Sequence, residues 1–159
     1  MNTRALASIA LGAAIILGTT GCSMISPQAT TIPYSAAEGV NVPNASGPVL
    51  VRNAFFITGE DAVNLVAVFV NDTAEDQTAT VAVDGVAAAL KVSVPAGERV
   101  SYGIDGEHLE VPDLKTAAGD TVKVTFTSGD GTSEAVEVPV LDGTLDYLEE
   151  AVPTPSATS

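Results

Sequence analysis

The sequence predicts an all-β protein, a β-sandwich of immunoglobulin-like size built from seven short strands. Apolar and polar residues alternate through most segments between residues 48 and 142, which is the pattern of strands with one buried face. Turn-forming residues such as Asp84-Gly85 and Pro95-Ala96-Gly97 separate these segments. No segment has a convincing helical period, and the absence of a cysteine pair and of tryptophan excludes a true antibody-type domain.

The strand-like segments differ in how apolar they are. Residues 62–70 are apolar almost without interruption, so we expect this strand to be covered on both faces. The last two strands are expected to pair across the polar turn at 128–133, while residues 105–120 form a polar loop and residues 143–150 a final helical turn. The seven predicted strands span residues 49–57, 62–70, 79–83, 90–94, 100–104, 122–126 and 136–140.

The N-terminal residues have the composition of an export signal. Arg4 provides a positive charge, residues 5–18 form an apolar run, and Gly21-Cys22 follow it. Such a run is too short to span a bilayer stably and is typical of a cleaved signal peptide. The residues before the cysteine resemble the lipobox of bacterial lipoproteins, with Thr19 where leucine is usual. The resemblance implies that the Cys22 sulfur receives a diacylglycerol and that a peptidase cleaves between Gly21 and Cys22.

Cys22 is the only cysteine of the chain, so it has no partner for an internal disulfide. The alternative is an ordinary secretory signal, with Cys22 either removed or left as a free thiol. We favour the acylated cysteine, because a lone cysteine in an exported protein is expected to have a use other than a disulfide. Two or three acyl chains would anchor the protein far better than one. The expected location is therefore the extracytoplasmic face of the cell membrane.

The composition divides the chain into four parts. Residues 23–47 are rich in proline, glycine and small polar residues, as expected for a tether; within it, Tyr34 is either solvated or docked on the domain. Residues 151–159 have the composition of a disordered tail. The predicted parts are a signal peptide at 1–21, a lipid-anchored flexible tether at 22–47, the β-sandwich domain at 48–142, and a C-terminal extension and tail at 143–159.

The chain is strongly acidic, with a formal charge of −14. Removal of residues 1–21 takes away one base, Arg4, and changes this charge to −15. Such a surface repels nucleic acids and anionic lipid headgroups and favours cationic partners. The acyl anchor, rather than electrostatic attraction, is therefore expected to hold the protein at the membrane. We expect a monomer.

The only histidine, His108, is the first candidate for chemistry. A metal site there would use His108 with Glu107, Glu110 or Asp113, but carboxylates select poorly for copper or zinc. A solvated loop histidine is the favoured interpretation.

The chain also lacks a Gly-x-Ser-x-Gly elbow, a Ser-x-x-Lys motif and a phosphate-binding glycine loop. We therefore expect a protein that is not an enzyme and has no cofactor.

Two acidic clusters, 72–76 and 130–134, have oxygen donors that suit Ca²⁺. Neither has the spacing of a high-affinity calcium loop, and Asx residues with Gly are also what tight turns require, so we favour hairpin turns at both clusters. Asn71-Asp72-Thr73 and Asn44-Ala45-Ser46 match the N-glycosylation pattern, and the tail residues 154–159 suit O-linked sugars. Unmodified chain is the favoured interpretation for all of these sites.

Residues 51–76 resemble the opening of periplasmic copper-chaperone domains of the PCu(A)C type and of actinobacterial lipoproteins with that scaffold. The matching features are Val51-Arg52-Asn53-Ala54, an apolar strand ending in Asn71, and the acidic loop 72–76. The resemblance implies a cupredoxin-like Greek-key sandwich. That family binds Cu(I) through His and Met side chains, whereas this mature chain has one of each, His108 and Met24. The scaffold is therefore expected without its metal ligands.

The sequence as a whole predicts a lipid-anchored, non-catalytic module of the bacterial cell envelope. Its role is binding or structural, and its partner is an envelope protein or ligand that the sequence does not identify. The alternative is an exported metal-handling protein, related to copper chaperones or binding Ca²⁺ through carboxylates.

Overall fold

The computed structural model describes residues 37–104 and 107–153; the predicted signal peptide, Cys22, Tyr34 and the tail 154–159 lie outside them. Residues Ser35–Ser159 form one compact unit. The all-β prediction is confirmed. The strands are β1 (Val49–Thr58), β2 (Val63–Asn71), β3 (Gln77–Val83), β4 (Leu90–Val94), β5 (Arg99–Tyr102), β6 (Leu109–Glu110), β7 (Thr121–Thr127) and β8 (Ser133–Leu141), with 3-10 helices at Asn44–Ser46 and Asp146–Ala151.

The described residues contain one strand more than the seven predicted. The additional strand is β6, which pairs with β2 inside the segment expected to be a polar loop. It has only two residues, too few to show an alternating pattern. The helical turn predicted for residues 143–150 corresponds to the 3-10 helix Asp146–Ala151.

The strands form one curled sheet rather than two separate sheets. Their order is β4-β3-β7-β8-β1-β2-β5, and β6 pairs with β2. Neighbours are antiparallel except β1 and β8, which pair in parallel through Phe56–Val140 and Ile57–Leu141. This short parallel contact joins the antiparallel group β4-β3-β7-β8 to the antiparallel group that contains β1 and β2.

The main core lies between these two groups of strands. Phe56, Leu65 and Phe69 from one group pack with Val81 and Phe126 from the other, all of them fully buried. The Phe69 ring meets the Tyr102 ring edge-on at 6.1 Å and the Phe126 ring at 6.5 Å, distances at which aromatic pairs attract. Inward-facing positions in β3 and β7 alternate with outward ones, as the sequence pattern predicts.

A second, smaller core covers the other face of β1 and β2. Phe55, Ile57 and Val66 point to this face and pack against Leu148 and Ala151 of the C-terminal 3-10 helix. Both faces of β2 are therefore buried, and this confirms the expectation drawn from the continuous apolar run at 62–70. Among the described residues there is no helix with the length and hydrophobicity needed to cross a bilayer.

Candidate functional site

The segment just before the 3-10 helix Asn44–Ser46 is paired with β1. Val40 and Ala54 exchange two backbone hydrogen bonds of 2.9 and 2.8 Å, and the Val42 amide donates to the Val51 carbonyl at 3.0 Å. Val42 is buried in the main core. The boundary predicted at Gly47 between tether and domain thus lies inside a stretch that already packs on the sheet.

The Val-Arg-Asn-Ala motif of β1 holds this segment in place. The Arg52 guanidinium donates to the backbone carbonyls of Val42 and Val51, both at 3.0 Å, and to the side chain of Asn44. The Asn53 side chain accepts a bond of 2.8 Å from the Gly39 amide. Arg52 and Asn53, which carry the family resemblance, therefore have a structural role and are not arranged as ligands.

Asn53 also marks an irregularity of β1. Its φ is +50°, a left-handed conformation that asparagine tolerates better than most residues. The pairing with β2 shifts register between Arg52 and Phe55, as at a β-bulge. At the bulge the Ala54 backbone bonds to Val40, the Asn53 amide donates to the Asn41 side-chain oxygen, and the Asn53 side-chain oxygen accepts from the Gly39 amide.

Asn71, at the end of β2, organises the first acidic loop. Its buried amide group donates to the carbonyls of Glu75, Val94 and Pro95 at 2.8–3.1 Å. Its side-chain oxygen accepts from the Thr73 amide and the Thr73 hydroxyl. A glycan on this nitrogen is incompatible with the geometry, because the side chain is fully buried and its donors are used.

The acidic clusters form turns in this structure. The Asp76 carboxylate accepts from the Ala96 amide at 3.0 Å and so joins the loop 72–76 to the β4–β5 connection. The Asp130 carboxylate accepts from the amide and the hydroxyl of Thr132 at 2.9 and 3.0 Å. The Asp130 contacts are those of an Asx-turn, and the expected hairpin turn is confirmed there, because this cluster lies at the turn between the paired strands β7 and β8. The hairpin prediction was wrong for residues 72–76, which join β2 to β3, two strands that do not pair with each other.

His108 contacts two parts of the chain through its two ring nitrogens. The Asn64 amide group lies 3.1 Å from Nδ1, and the Glu150 carbonyl lies 2.9 Å from Nε2. The same Asn64 amide donates to the Ala151 carbonyl at 2.9 Å. Because an amide NH₂ donates and a carbonyl accepts, these contacts assign Nδ1 as the acceptor and Nε2 as the donor. His108 is exposed, as expected for a loop histidine, and its ring in addition bonds to the C-terminal 3-10 helix.

Replacement of this ring is expected to loosen the C-terminal 3-10 helix. We expect His108→Ala to lower the free energy of unfolding by about 1 kcal/mol, the usual contribution of such hydrogen bonds. Hydrogen–deuterium exchange at residues 146–152 should rise. The control Glu110→Ala, at an exposed neighbouring position without a side-chain bond, should change neither quantity. Unchanged exchange in His108→Ala would show that the helix does not depend on the ring.

Comparison with known proteins gives one sequence relative and a group of similar folds. No protein-family description matches the chain. Over 143 residues it is 29% identical to "Putative lipoprotein Lxx21020" of Leifsonia xyli subsp. xyli, covering 82% of this chain and 86% of that protein. The chain is thus similar to an actinobacterial lipoprotein, as the sequence indicated.

The similar folds are solved PCuAC domains. The apo PmoF2 PCuAC domain superposes with a TM-score of 0.50 at 14% identity, covering 67% of this chain and 98% of that one. The copper-bound PCuAC domain from PmoF2 gives 0.47 at 16% identity, covering 65% and 97%. At these identities the likeness concerns the fold alone, and it confirms the scaffold that the sequence indicated.

The residues of this chain do not fit the Cu(I) site that the scaffold implies. Within 37–104 and 107–153, no three His, Cys, Asp or Glu side chains lie close enough to hold a metal ion. Both ring nitrogens of His108 are engaged by the protein. The two methionines of the chain, Met1 and Met24, lie outside the described residues. Soft thioether and imidazole donors, which Cu(I) prefers, are therefore not assembled in the described residues.

Proposed function

We propose that this protein is a lipid-anchored, non-catalytic binding domain of the bacterial cell envelope, held at the extracytoplasmic face of the membrane through Cys22. The observation that supports this proposal most is the Gly21-Cys22 pair after a short apolar run, in a chain similar to a lipoprotein along 82% of its length. Signal cleavage before Cys22 and acylation of its sulfur are parts of the same proposal.

The structure supports a short connection between anchor and domain. Chain pairing with β1 begins at Gly39, so residues 23–38 are left to join the domain to Cys22. A random coil of this length has a root-mean-square span of roughly 20–24 Å. The domain would then work within a few nanometres of the membrane surface, where its partners must also be found.

The hydrogen bonds made by the polar side chains support a non-catalytic role. Arg52, Asn71 and His108 each bond to backbone groups and hold loops or termini on the sheet. A general base needs a nitrogen or carboxylate that is available to a substrate proton, and the ring of His108 is occupied. The named relatives are a lipoprotein and PCuAC domains.

Intact-mass spectrometry of the native protein from bacterial membranes tests the anchor. The expected mass is that of the polypeptide beginning at Cys22 plus a diacylglycerol and, where the host adds it, an amide-linked acyl chain. A native protein with an unmodified Cys22, or one found wholly in the cytosol, would refute the proposal.

The alternative function, metal handling, is supported by the PCuAC-like fold. Calorimetry with metal ions distinguishes this alternative from the proposed binding role. We expect Cu⁺, Zn²⁺, Ca²⁺ and Mn²⁺ to bind the soluble fragment 23–159 more weakly than a Kd of about 1 μM, because the described residues assemble no donor set. Tighter binding of any of these ions would favour metal handling. Loss of that binding in His108→Ala would then assign it to the imidazole.

A further inference from the structure

The C-terminal 3-10 helix presents apolar side chains on its outer side. Its inner side is held by Leu148 and Ala151, which are buried against β1 and β2. Leu145 and Tyr147, at the start of the helix, are 51% and 52% exposed and are the exposed large hydrophobic residues of the described part of the chain. Large apolar side chains left in water next to an apolar groove are typical of interaction surfaces.

An open groove of about 430 Å³ is lined in part by Leu145. Its lining is more apolar than polar and includes Ala118, Val140, Leu141, Leu145 and Leu148. A single apolar side chain of a partner fits a groove of this size, and contacts of this kind dominate the binding energy of many interfaces. We call the groove with Leu145, together with the exposed Tyr147 two residues further along the chain, the C-terminal apolar surface.

Carboxylates are concentrated in this part of the chain. Asp142 lines the groove, Asp146, Glu149 and Glu150 are exposed in the 3-10 helix itself, and Glu38 accepts a hydrogen bond of 3.2 Å from the Tyr147 hydroxyl. Bonds from the hydroxyl and amide of Thr144 hold the pKa of Asp142 below its ordinary value, so this group is charged at neutral pH. The chain contains no lysine or arginine after Lys123.

We propose that the C-terminal apolar surface binds a cationic, apolar segment of another envelope protein, with a leucine-like side chain in the groove and lysine or arginine side chains facing the carboxylates. Charge complementarity selects this occupant. An anionic lipid surface and a second copy of this acidic chain are both repelled by the same carboxylates. The inference rests on the proposed binding role in the envelope and names the chemistry of the partner.

The test uses the lipid-free fragment 23–159, which contains the whole compact unit, and two fluorescent peptides of equal charge. One peptide alternates lysine and leucine, and in the other serine replaces leucine. The Lys-Leu peptide should bind at least about tenfold more tightly in fluorescence anisotropy, a difference of about 1.4 kcal/mol. Its binding should protect residues 142–150 from hydrogen–deuterium exchange. Equal affinity for the two peptides would overturn the proposal.

Two double variants locate the binding site. Leu145→Ser with Tyr147→Ser should weaken Lys-Leu peptide binding about tenfold without unfolding the protein, because both side chains are half exposed. Asp146→Asn with Glu149→Gln should weaken binding and flatten its salt dependence. The matched control is Asp72→Asn with Glu75→Gln, two exposed carboxylates without side-chain bonds; it should change affinity less than about twofold. An equal loss in this control would overturn the proposal.

The other occupants give distinct results. Binding to phosphatidylglycerol vesicles, or self-association in sedimentation, that disappears in the Leu145/Tyr147 variant would assign the surface to lipid or to a second copy and would overturn the proposal. The fragment carries no acyl group, so a negative peptide result leaves the mass measurement on Cys22 untouched. The failure of this inference and the failure of the envelope proposal are therefore distinguishable.

Discussion

Replacement of Cys22 by alanine is expected to move the protein from the membrane fraction to the soluble fraction. Alanine has no sulfur to acylate, and each buried CH₂ of an acyl chain contributes about 0.8 kcal/mol to membrane binding. One myristoyl chain gives an association constant of only about 10⁴ M⁻¹, so two chains account for stable anchoring. The acidic domain offers no electrostatic substitute, because its charge repels anionic headgroups.

The measurement is detergent-phase partition and intact mass of the wild-type and variant chains, expressed in a bacterial host with lipoprotein-processing enzymes. Thr19→Leu is the matched control, because it gives the segment the leucine that the lipobox usually has. That variant should stay in the detergent phase and be processed at least as completely as the wild type. Retention of Cys22→Ala in the membrane fraction would show that another part of the chain anchors the protein.

The strands with one buried face could be predicted from the sequence, because burial of every second side chain produces an alternation of apolar and polar residues. β3, β4 and β7 follow the valines at alternate positions of their segments. The continuous apolar run of β2 predicted its double coverage, and the second core explains it. What covers β2, however, is a helix some 80 residues later in the chain, and such a long-range contact leaves no periodic signal in either segment.

The pairing of Val40 and Val42 with β1 was missed because it is short. Val40-Asn41-Val42 does alternate, but three residues among prolines and glycines fit a tether equally well. The β1–β8 contact was missed for a different reason. It involves two residue pairs between the first and last strands, and alternation shows which face of a strand is buried but not which strand lies beside it.

The sequence predicted the roles of the polar residues less well than the burial of the apolar ones. The residue types drew attention to Arg52, Asn71 and His108. A residue type alone, however, does not show whether its hydrogen-bond donor faces a ligand or a carbonyl of its own chain. The signal that could have identified Asn71 is its position, directly after a buried strand and before Asp72-Thr73. Asparagine there favours an Asx-turn, in which the side chain bonds the backbone two residues on.

Asn71→Ala is expected to have a large effect on stability. The side chain is fully buried and makes three donor contacts, to the carbonyls of Glu75, Val94 and Pro95, besides accepting from Thr73. Alanine would leave these buried groups without partners, and each unsatisfied group costs about 1–3 kcal/mol. Because water reaches part of the loop, the total cost is smaller than the sum of these values. We expect the free energy of unfolding to fall by about 3 kcal/mol, which is within the upper range for single substitutions.

Urea unfolding followed by far-ultraviolet circular dichroism measures this loss. Asp72→Ala is the matched control, because Asp72 is the next residue, is exposed and makes no side-chain bond; its effect should stay within about 0.5 kcal/mol. Asn71→Asp tests the mechanism, since a carboxylate keeps the acceptor for Thr73 but sets negative charge against three carbonyls and should be at least as destabilising as alanine. If Asn71→Ala matched the control, the loop 72–76 would not depend on the hydrogen bonds of this side chain.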